Sequence, residues 1–295
     1  MKAVLSAASL VLCWLAVSAC SSGVDGSAPQ VIRFTAIPDS NTTELAAKFR
    51  PLATALSESL GVTFEYVPVA SYDASVEAFK HGDIQLAWFG GLTGVQARAA
   101  VPGASAIAQG AIDPNFKSYF IAHESTGLEL SESFPLELAG KTFTFGSSRS
   151  TSGRLMPEHF IRMSTGKSPA EFFGQAPGFS GAHDKTAELV SSGAFQAGAL
   201  SYAKYDQLVA DGKLDPKQCP IVWVTPEYSD YNWTLHPVTE AWYGTEFKER
   251  VRAALLELDD PELLKACLRE RFIKAENADF DAILELAKEL EFVRG

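Results

Sequence analysis

Short apolar segments alternate with helical patterns along most of this chain, and that alternation limits the possible folds more than any other feature. Val31 to Ala36 reads as a strand ended by Pro38, and a helix runs from about Thr42 to Leu60, with Gly61 as its stop signal. Val62 to Val67 is the next strand, followed by a helix from Tyr72 to Lys80. Ile84 to Phe89 reads as a buried strand, and the helix after Gly90-Gly91 carries Val95 to Ala100. Strands are expected at Ser105 to Ala111, Tyr119 to His123 and Thr142 to Phe145, with a helical pattern beginning around Thr151. Ala176 to Phe179 leads into a helix from about Ala182 to Ser192, and Ala197 to Leu200 precedes one from about Ala203 to Asp211. Ile221 to Val224 is the last clear strand, and from Thr245 to the end the apolar periodicity predicts helix throughout. The pattern predicts an α/β fold of parallel β–α–β units, with helices on both faces of the sheet.

Sheets of this kind bind ligands in the crevice at the carboxyl ends of their strands. Four junctions here share a character suited to that place: Ser71-Tyr72-Asp73, Trp88-Phe89-Gly90-Gly91-Leu92-Thr93, Ser150-Thr151-Ser152-Gly153 and Ser180-Gly181-Ala182-His183-Asp184. Each follows a strand and opens a helix, where backbone N–H groups lack intrahelical partners and the helix dipole is positive. The hydroxyl run after Phe143-Thr144-Phe145 adds donors without formal charge, which suits a small tetrahedral oxyanion. The competing reading is that Ser150 or Thr151 only caps the helix. His183 falls in the first turn of a helix, where the dipole disfavours its protonated form, and neutral imidazole still donates one N–H. Its alternative is a surface or cap-adjacent histidine. Tyr72 offers a phenol, or ordinary packing at a helix start. Trp88 or Phe89 is an aromatic candidate for the cleft, although a buried strand needs apolar bulk at such positions. Asp230-Tyr231-Asn232-Trp233 reads as an aromatic-rich loop over the cleft or as a plain connection.

The start of the chain reads as an export signal. Lys2 precedes an apolar run from Ala3 to Val17, too short to span a membrane with anchoring flanks. Val17-Ser18-Ala19-Cys20 resembles the lipobox of bacterial lipoproteins, in which the cysteine is lipidated and becomes the new N-terminus. Residues 1–19 are then signal, Cys20 the lipidation site and 20–29 a polar tether; a plain signal cleaved near Ala19 is the alternative. Either way the chain works outside the cytoplasm. Cys219 and Cys267 remain, as a disulfide or as two buried thiols. The histidines have no metal-ligand spacing, and no metal or cofactor is expected. A net charge of −11 without basic stripes argues against nucleic acid. It does not exclude an anion ligand, because helix ends act within a few ångströms.

Enzyme motifs fail on inspection. Gly166-Lys167-Ser168 and Gly140-Lys141-Thr142 would need glycine where Ile161 and Pro135 stand to be P-loops. Gly146-Ser147-Ser148-Arg149-Ser150 lacks the last glycine of a nucleophile elbow. No nucleophile–base pair is identifiable, so an enzyme is not expected.

Several stretches together resemble one family: Thr35 to Asp39, Phe64 to Val69, Leu86 to Gly91, Ser150 to Pro157, Ser180 to Asp184 and Tyr231 to Thr234. The chain resembles the phosphonate-type substrate-binding proteins of ABC transporters, and within them most nearly the subgroup labelled selenate-binding. The resemblance implies a type II periplasmic-binding-protein-like architecture of two α/β lobes, 30–117 plus 235–295 and 118–234, closing by a hinge over a small oxyanion. It implies that Ser150, Thr151, Ser152, His183 and Tyr72 hold that anion, and less firmly Trp88 or Phe89. The acidic residues that hold the ammonium group of an aminophosphonate are replaced by Leu200-Ser201-Tyr202, leaving Asp230 as the nearby acid. The departure favours a compact oxyanion such as phosphite, selenate or an unsubstituted phosphonate. The implied partners are a permease and its ATPase, with the chain acting as a lipid-anchored monomer. A sensor that signals to a membrane kinase and an enzyme on the same scaffold are the alternatives.

Overall fold

The computed structural model describes residues 31–293; the expected signal, the Cys20 lipidation site and the tether lie outside the described residues. Among the described residues eleven strands form two sheets. The first contains β1 (Val31–Ala36), β2 (Thr63–Tyr66), β3 (Leu86–Phe89) and β4 (Ser105–Gly110). The second contains β5 (Ser118–Ala122), β6 (Phe143–Phe145), β7 (Gly178–Phe179), β8 (Ala197–Ser201) and β9 (Ile221–Val224). The chain then returns to the first sheet with β10 (Asn232–Leu235) and β11 (Phe272–Lys274). The spatial orders are β11-β4-β10-β3-β1-β2 and β7-β6-β8-β5-β9. The result is a mixed α/β fold of the type II periplasmic-binding-protein kind.

The sheets are not purely parallel as expected. β1 pairs in parallel with β2 and β3, but β10 runs antiparallel between β3 and β4. In the second sheet β5 is likewise antiparallel between β8 and β9. Each intruder is the first strand after the chain crosses from the other sheet. A direct crossing has no room for the crossover helix that parallel neighbours require, so the arriving strand pairs antiparallel.

Three further expectations are corrected. Ile221–Val224 is not the last strand, and the region after Thr245 is not helical throughout, because β11 pairs antiparallel with the edge of β4. Asn232 and Trp233, expected in the Asp230-to-Trp233 loop, open the buried strand Asn232–Leu235, whose polar face is satisfied: Arg98 Nη1 donates to Asn232 Oδ1 and Thr234 Oγ1, both at 2.9 Å. Asn232, Trp233 and Thr234 therefore sit in the first sheet, ahead of residue 235 where the return was expected. Cys219 and Cys267 are buried free thiols.

The two crossings run side by side. Phe116 and Tyr228 form an antiparallel bridge with N–H···O distances of 2.9 and 3.0 Å, and Thr225 N–H donates to Ser118 O. Beside them the buried Arg269 guanidinium pairs with both oxygens of Asp113 and lies 4.9 Å from the Tyr231 ring centre. Burial works against the Arg269 charge, but the Asp113 carboxylate outweighs it and raises the pKa. The Asp113 carbonyl in turn accepts the Asp230 N–H at 3.1 Å, tying the pair to the second crossing.

Candidate functional site

Five helix starts converge between the sheets. Four are the junctions at Tyr72, Gly91, Thr151 and His183; the fifth, Asp39-Ser40-Asn41, precedes the helix Thr42–Leu60. Contacts between the sheets hold them together. His183 N–H donates to Asp39 O at 3.0 Å, Asn41 N–H to Asp184 Oδ2 at 3.1 Å, and Leu92 N–H to Thr151 Oγ1 at 2.9 Å. At the exposed mouth Arg149 Nε meets Asp73 Oδ1 at 2.7 Å, a pair screened by water.

The hydroxyl run has an unusual first turn. Thr151–Leu155 is a π-helical turn that continues into the α-helix Met156–Thr165. Pro157 has no N–H to give to the Gly153 carbonyl, which instead accepts Gly146 N–H at 2.9 Å. The wider turn presents the Thr151 and Ser152 amides, which by position lack intrahelical acceptors. Ser150 does cap the helix, since its Oγ accepts Gly153 N–H at 2.9 Å. Capping uses only the oxygen, so the hydroxyl hydrogen remains available as a donor. A Cβ on Gly153 would fall 3.0 Å from Ser150 Oγ and 3.1 Å from His183 Cε1, which is why the turn has no side chain there. Ser152 is anchored from behind, its carbonyl accepting Ser118 Oγ at 2.7 Å while Ser118 shares a hydrogen bond with Tyr228.

His183 is 1% exposed and its pKa is lowered to about 4. Burial is the main cause; Lys204 adds to it and Asp39 opposes. The sequence argument attributed the preference for the neutral ring to the helix dipole, and desolvation is the larger effect. Ser201 N–H donates to His183 Nδ1 at 3.3 Å, so the proton of the neutral ring is on Nε2. That Nε2 faces Ser152 Oγ at 3.5 Å, placing an N–H donor beside the hydroxyl run.

Asp230, 1% exposed, lies on the other side of Thr151. Its Oδ1 accepts Gly91 N–H at 2.9 Å. Burial pushes the carboxyl up to about 7; Gly91 and the Thr151 hydroxyl pull it down, Asp113 raises it and Arg269 lowers it. Gly90 is tightly enclosed here, since a Cβ would meet Asp230 Oδ1 and Thr151 Oγ1 at 3.2 Å.

The aromatic candidates divide. Tyr72 is buried beside Ser150, and burial holds its phenol neutral. Tyr231 Oη donates to Asp39 Oδ2 at 2.9 Å, and its ring stacks on Trp88 at 5.5 Å. Trp88 and Phe89 point to opposite faces of β3, as successive strand residues must. Phe89 packs edge-on against Phe79, away from Tyr231. Thus Tyr72, Ser150, Thr151, Ser152, His183 and Asp230 come together, Tyr231 and Trp88 form a second layer, and Phe89 is core.

Three buried side-chain atoms at these junctions have no hydrogen-bond partner within the protein: Ser40 Oγ, Tyr72 Oη and Asp230 Oδ2. Ser40 and Asp39 were missed as site residues, although Asp39-Ser40-Asn41 has the same strand–loop–helix signature as the other four. The Asp113–Arg269 pair, 156 residues apart, carries no sequence signal. Among the described residues no group of acidic, histidine or cysteine side chains is placed to hold a metal, and no helix is long and apolar enough to cross a membrane. Chemically, the arrangement is a set of neutral donors (hydroxyls, imidazole and helix-start amides) able to surround a small anion.

Residues 34–280 match the family described as "ABC transporter, phosphonate, periplasmic substrate-binding protein". The chain is 39% identical over 277 residues to the "Probable ABC transporter phosphite binding protein PhnD1" of Prochlorococcus marinus strain MIT 9301, covering 91% of this chain and 92% of that one. It is 31% identical to the "Phosphate-import protein PhnD" of Mycolicibacterium smegmatis, over 66% of this chain and 63% of that one. The solved structure of P. marinus PhnD1 in complex with methylphosphonate superposes with a TM-score of 0.83 at 38% identity, covering 89% of this chain and 98% of that chain.

Proposed function

The chain belongs to the phosphonate family of periplasmic substrate-binding proteins of ABC transporters, and from that premise we propose that it captures phosphite or a small unsubstituted phosphonate between its two lobes and delivers it to a membrane permease. The family is one of binding proteins and not of enzymes. The observation that carries the ligand reading is the set of unpartnered buried atoms, Ser40 Oγ, Tyr72 Oη and Asp230 Oδ2, gathered at five helix starts. Leaving buried polar atoms unpaired costs about 1–3 kcal/mol each, a cost that a polyoxygen ligand removes on binding. The nearness of PhnD1 supports phosphite and phosphonate over selenate.

In this reading Ser150, Ser152, Tyr72 and His183 Nε2 donate to the anion, as do the Thr151 and Ser152 amides. Thr151 and Asp230 join the lobes around it, and Tyr231 and Trp88 form the wall behind. The crossings at residues 111–117 and 225–231 serve as the hinge, so the ligand favours the closed form by contacts it makes only there. A lipid on Cys20 tethers the monomer outside the cytoplasm, and Cys20→Ser should move it from the membrane to the soluble fraction.

The test is a thermal shift with methylphosphonate and with phosphite. Ligand at about 100 times Kd adds about 2.7 kcal/mol of apparent stability. Wild type should shift with either ligand, and Ser152→Ala should melt normally without ligand but shift much less with it. No shift of the wild type with either ligand would sink the proposal.

A further inference from the structure

We propose that residues 290–293 are a closure latch: Phe292, carried by the lobe of the first sheet, seats on the Arg154 guanidinium of the other lobe and holds the anion-gripping turn in its closed position without touching the ligand. The inference rests on the reading of the two lobes as closing over an oxyanion. It deepens that reading by naming a positioning residue that sets affinity from outside the cleft.

Arg154 belongs to the π-helical turn Thr151–Leu155, two residues after Ser152. It pairs with the buried Glu158 carboxylate, whose other oxygen meets Arg162 at 2.7 Å. Its guanidinium lies 4.4 Å from the Phe145 ring centre and 5.4 Å from that of Phe179. These partners come from the second sheet and the helix Met156–Thr165, so they stay with Arg154 however the lobes move. A further partner does not: the Phe292 ring centre is 5.5 Å from the same guanidinium. A guanidinium this close to a ring face is attracted by the ring quadrupole, and more strongly where water is excluded.

Phe292 reaches Arg154 from the first lobe. The helix Asp281–Glu289 packs on the helix Gly91–Ala100, which follows β3. Beyond Glu289 the chain doubles back, with the Phe292 and Val293 N–H groups both donating to Ala287 O at 2.7 and 3.1 Å. Glu291 makes this turn at φ 61°, a left-handed conformation that disfavours any residue with a Cβ, so tertiary contacts hold the segment in shape. One of them is Gln96, whose Nε2 donates to Phe292 O at 2.9 Å. Leu92 lies one helical turn before Gln96 and donates to Thr151 Oγ1, so a single helix of lobe one grips the turn directly and through Phe292. When the lobes part, Phe292 keeps Gln96 and its own helix and loses Arg154. The contact therefore favours the closed form alone, and every ligand that needs closure gains from it by the same factor.

The experiment is isothermal titration calorimetry of the protein with phosphite and with methylphosphonate, for wild type, Phe292→Ala and Gln96→Ala, with ligand-free melting curves beside it. Phe292→Ala removes the ring and leaves the cleft intact, so it should weaken both ligands by one common factor, about 3- to 30-fold. Gln96→Ala frees the segment and should weaken both by a smaller common factor, at least about twofold. Affinities of Phe292→Ala within threefold of wild type would overturn the inference. So would a loss confined to one ligand, because a latch acts on closure and not on the ligand. A lower melting temperature with unchanged affinity would make Phe292 a packing residue and overturn it as well. If Phe292→Ala does not fold, Gln96→Ala decides alone, and its unchanged affinity overturns the latch. Each of these results leaves the oxyanion site standing; failure of folded wild type to bind either anion overturns the oxyanion reading, and this inference with it.

Discussion

Replacing Thr151 with valine should weaken ligand binding without loosening the fold. Valine nearly preserves the shape and the buried methyl of threonine, but it removes the oxygen that accepts Leu92 N–H at 2.9 Å. Leu92 belongs to the helix after β3, and Thr151 to the turn after β6, so the bond joins the two lobes. In the closed protein the Leu92 amide is then buried without an acceptor, which costs about 1–3 kcal/mol. In an open protein the same amide meets water and the cost disappears. The penalty thus falls on closure, and closure is linked to ligand binding. Affinity for methylphosphonate should drop about 5- to 150-fold, while the ligand-free melting temperature stays near that of wild type. Thr151→Ser keeps the oxygen and should recover most of the loss. Isothermal titration calorimetry on all three proteins, with ligand-free scanning calorimetry beside it, decides the matter. An affinity for Thr151→Val within twofold of wild type would refute the assignment of this bond to closure. A large fall in ligand-free stability would refute the claim that the cost is confined to the closed state.

Other consequences follow from the same geometry. His183 has a folded pKa of about 4, below its unfolded value of about 6.5, so its contribution to stability is complete above pH 6.5 and is lost as pH falls towards 4. The linked change is about 3 kcal/mol, and urea unfolding across that range should show a shallower acid decline in His183→Asn; an identical decline would place the sensitivity elsewhere. Arg269→Met leaves the Asp113 carboxylate buried without its partner and should cost about 3–5 kcal/mol by denaturant unfolding. The double variant with Asp113→Asn should recover part of that, and a loss under 1 kcal/mol in the single variant would contradict the pairing argument. Gly153→Ala forces a methyl to 3.0 Å from Ser150 Oγ and 3.1 Å from His183 Cε1, overpacking worth about 1–3 kcal/mol. Methylphosphonate titration should show weaker binding, and unchanged affinity would show that the turn yields freely.

Much of the architecture was legible because it is encoded over short range. The helix Thr42–Leu60 occupies its expected limits, with Asn41 accepting from Thr43 and Glu44 at one end and Gly61 left-handed at the other. Tyr72–Lys80 does the same behind the Ser71 cap. The hydroxyl run and the histidine could be proposed as partners because each marks a strand-to-helix junction, and all such junctions in one α/β sheet open on the same side. β10 and β11 were illegible for a matching reason. Four and three residues are too few to establish a period, and what makes them strands is their pairing with β3 and β4, far away in the chain, as where Lys274 meets Ala108.

Local chemistry along the chain therefore specified the elements, the helix ends and the kind of group each junction could bind. It did not specify that Phe89 would point into the core while Trp88 stacks beneath Tyr231, because that depends on which face of β3 meets which neighbour. Nor could it place Arg269 on Asp113, or show that Thr151 reaches Leu92 and Asp230 keeps one oxygen unpaired. Those are matters of long-range approach and of burial. A carboxyl group has nearly the same intrinsic acidity in any sequence, and only packing, by removing water and choosing its neighbours, makes Asp230 a group able to hold its proton near neutral pH.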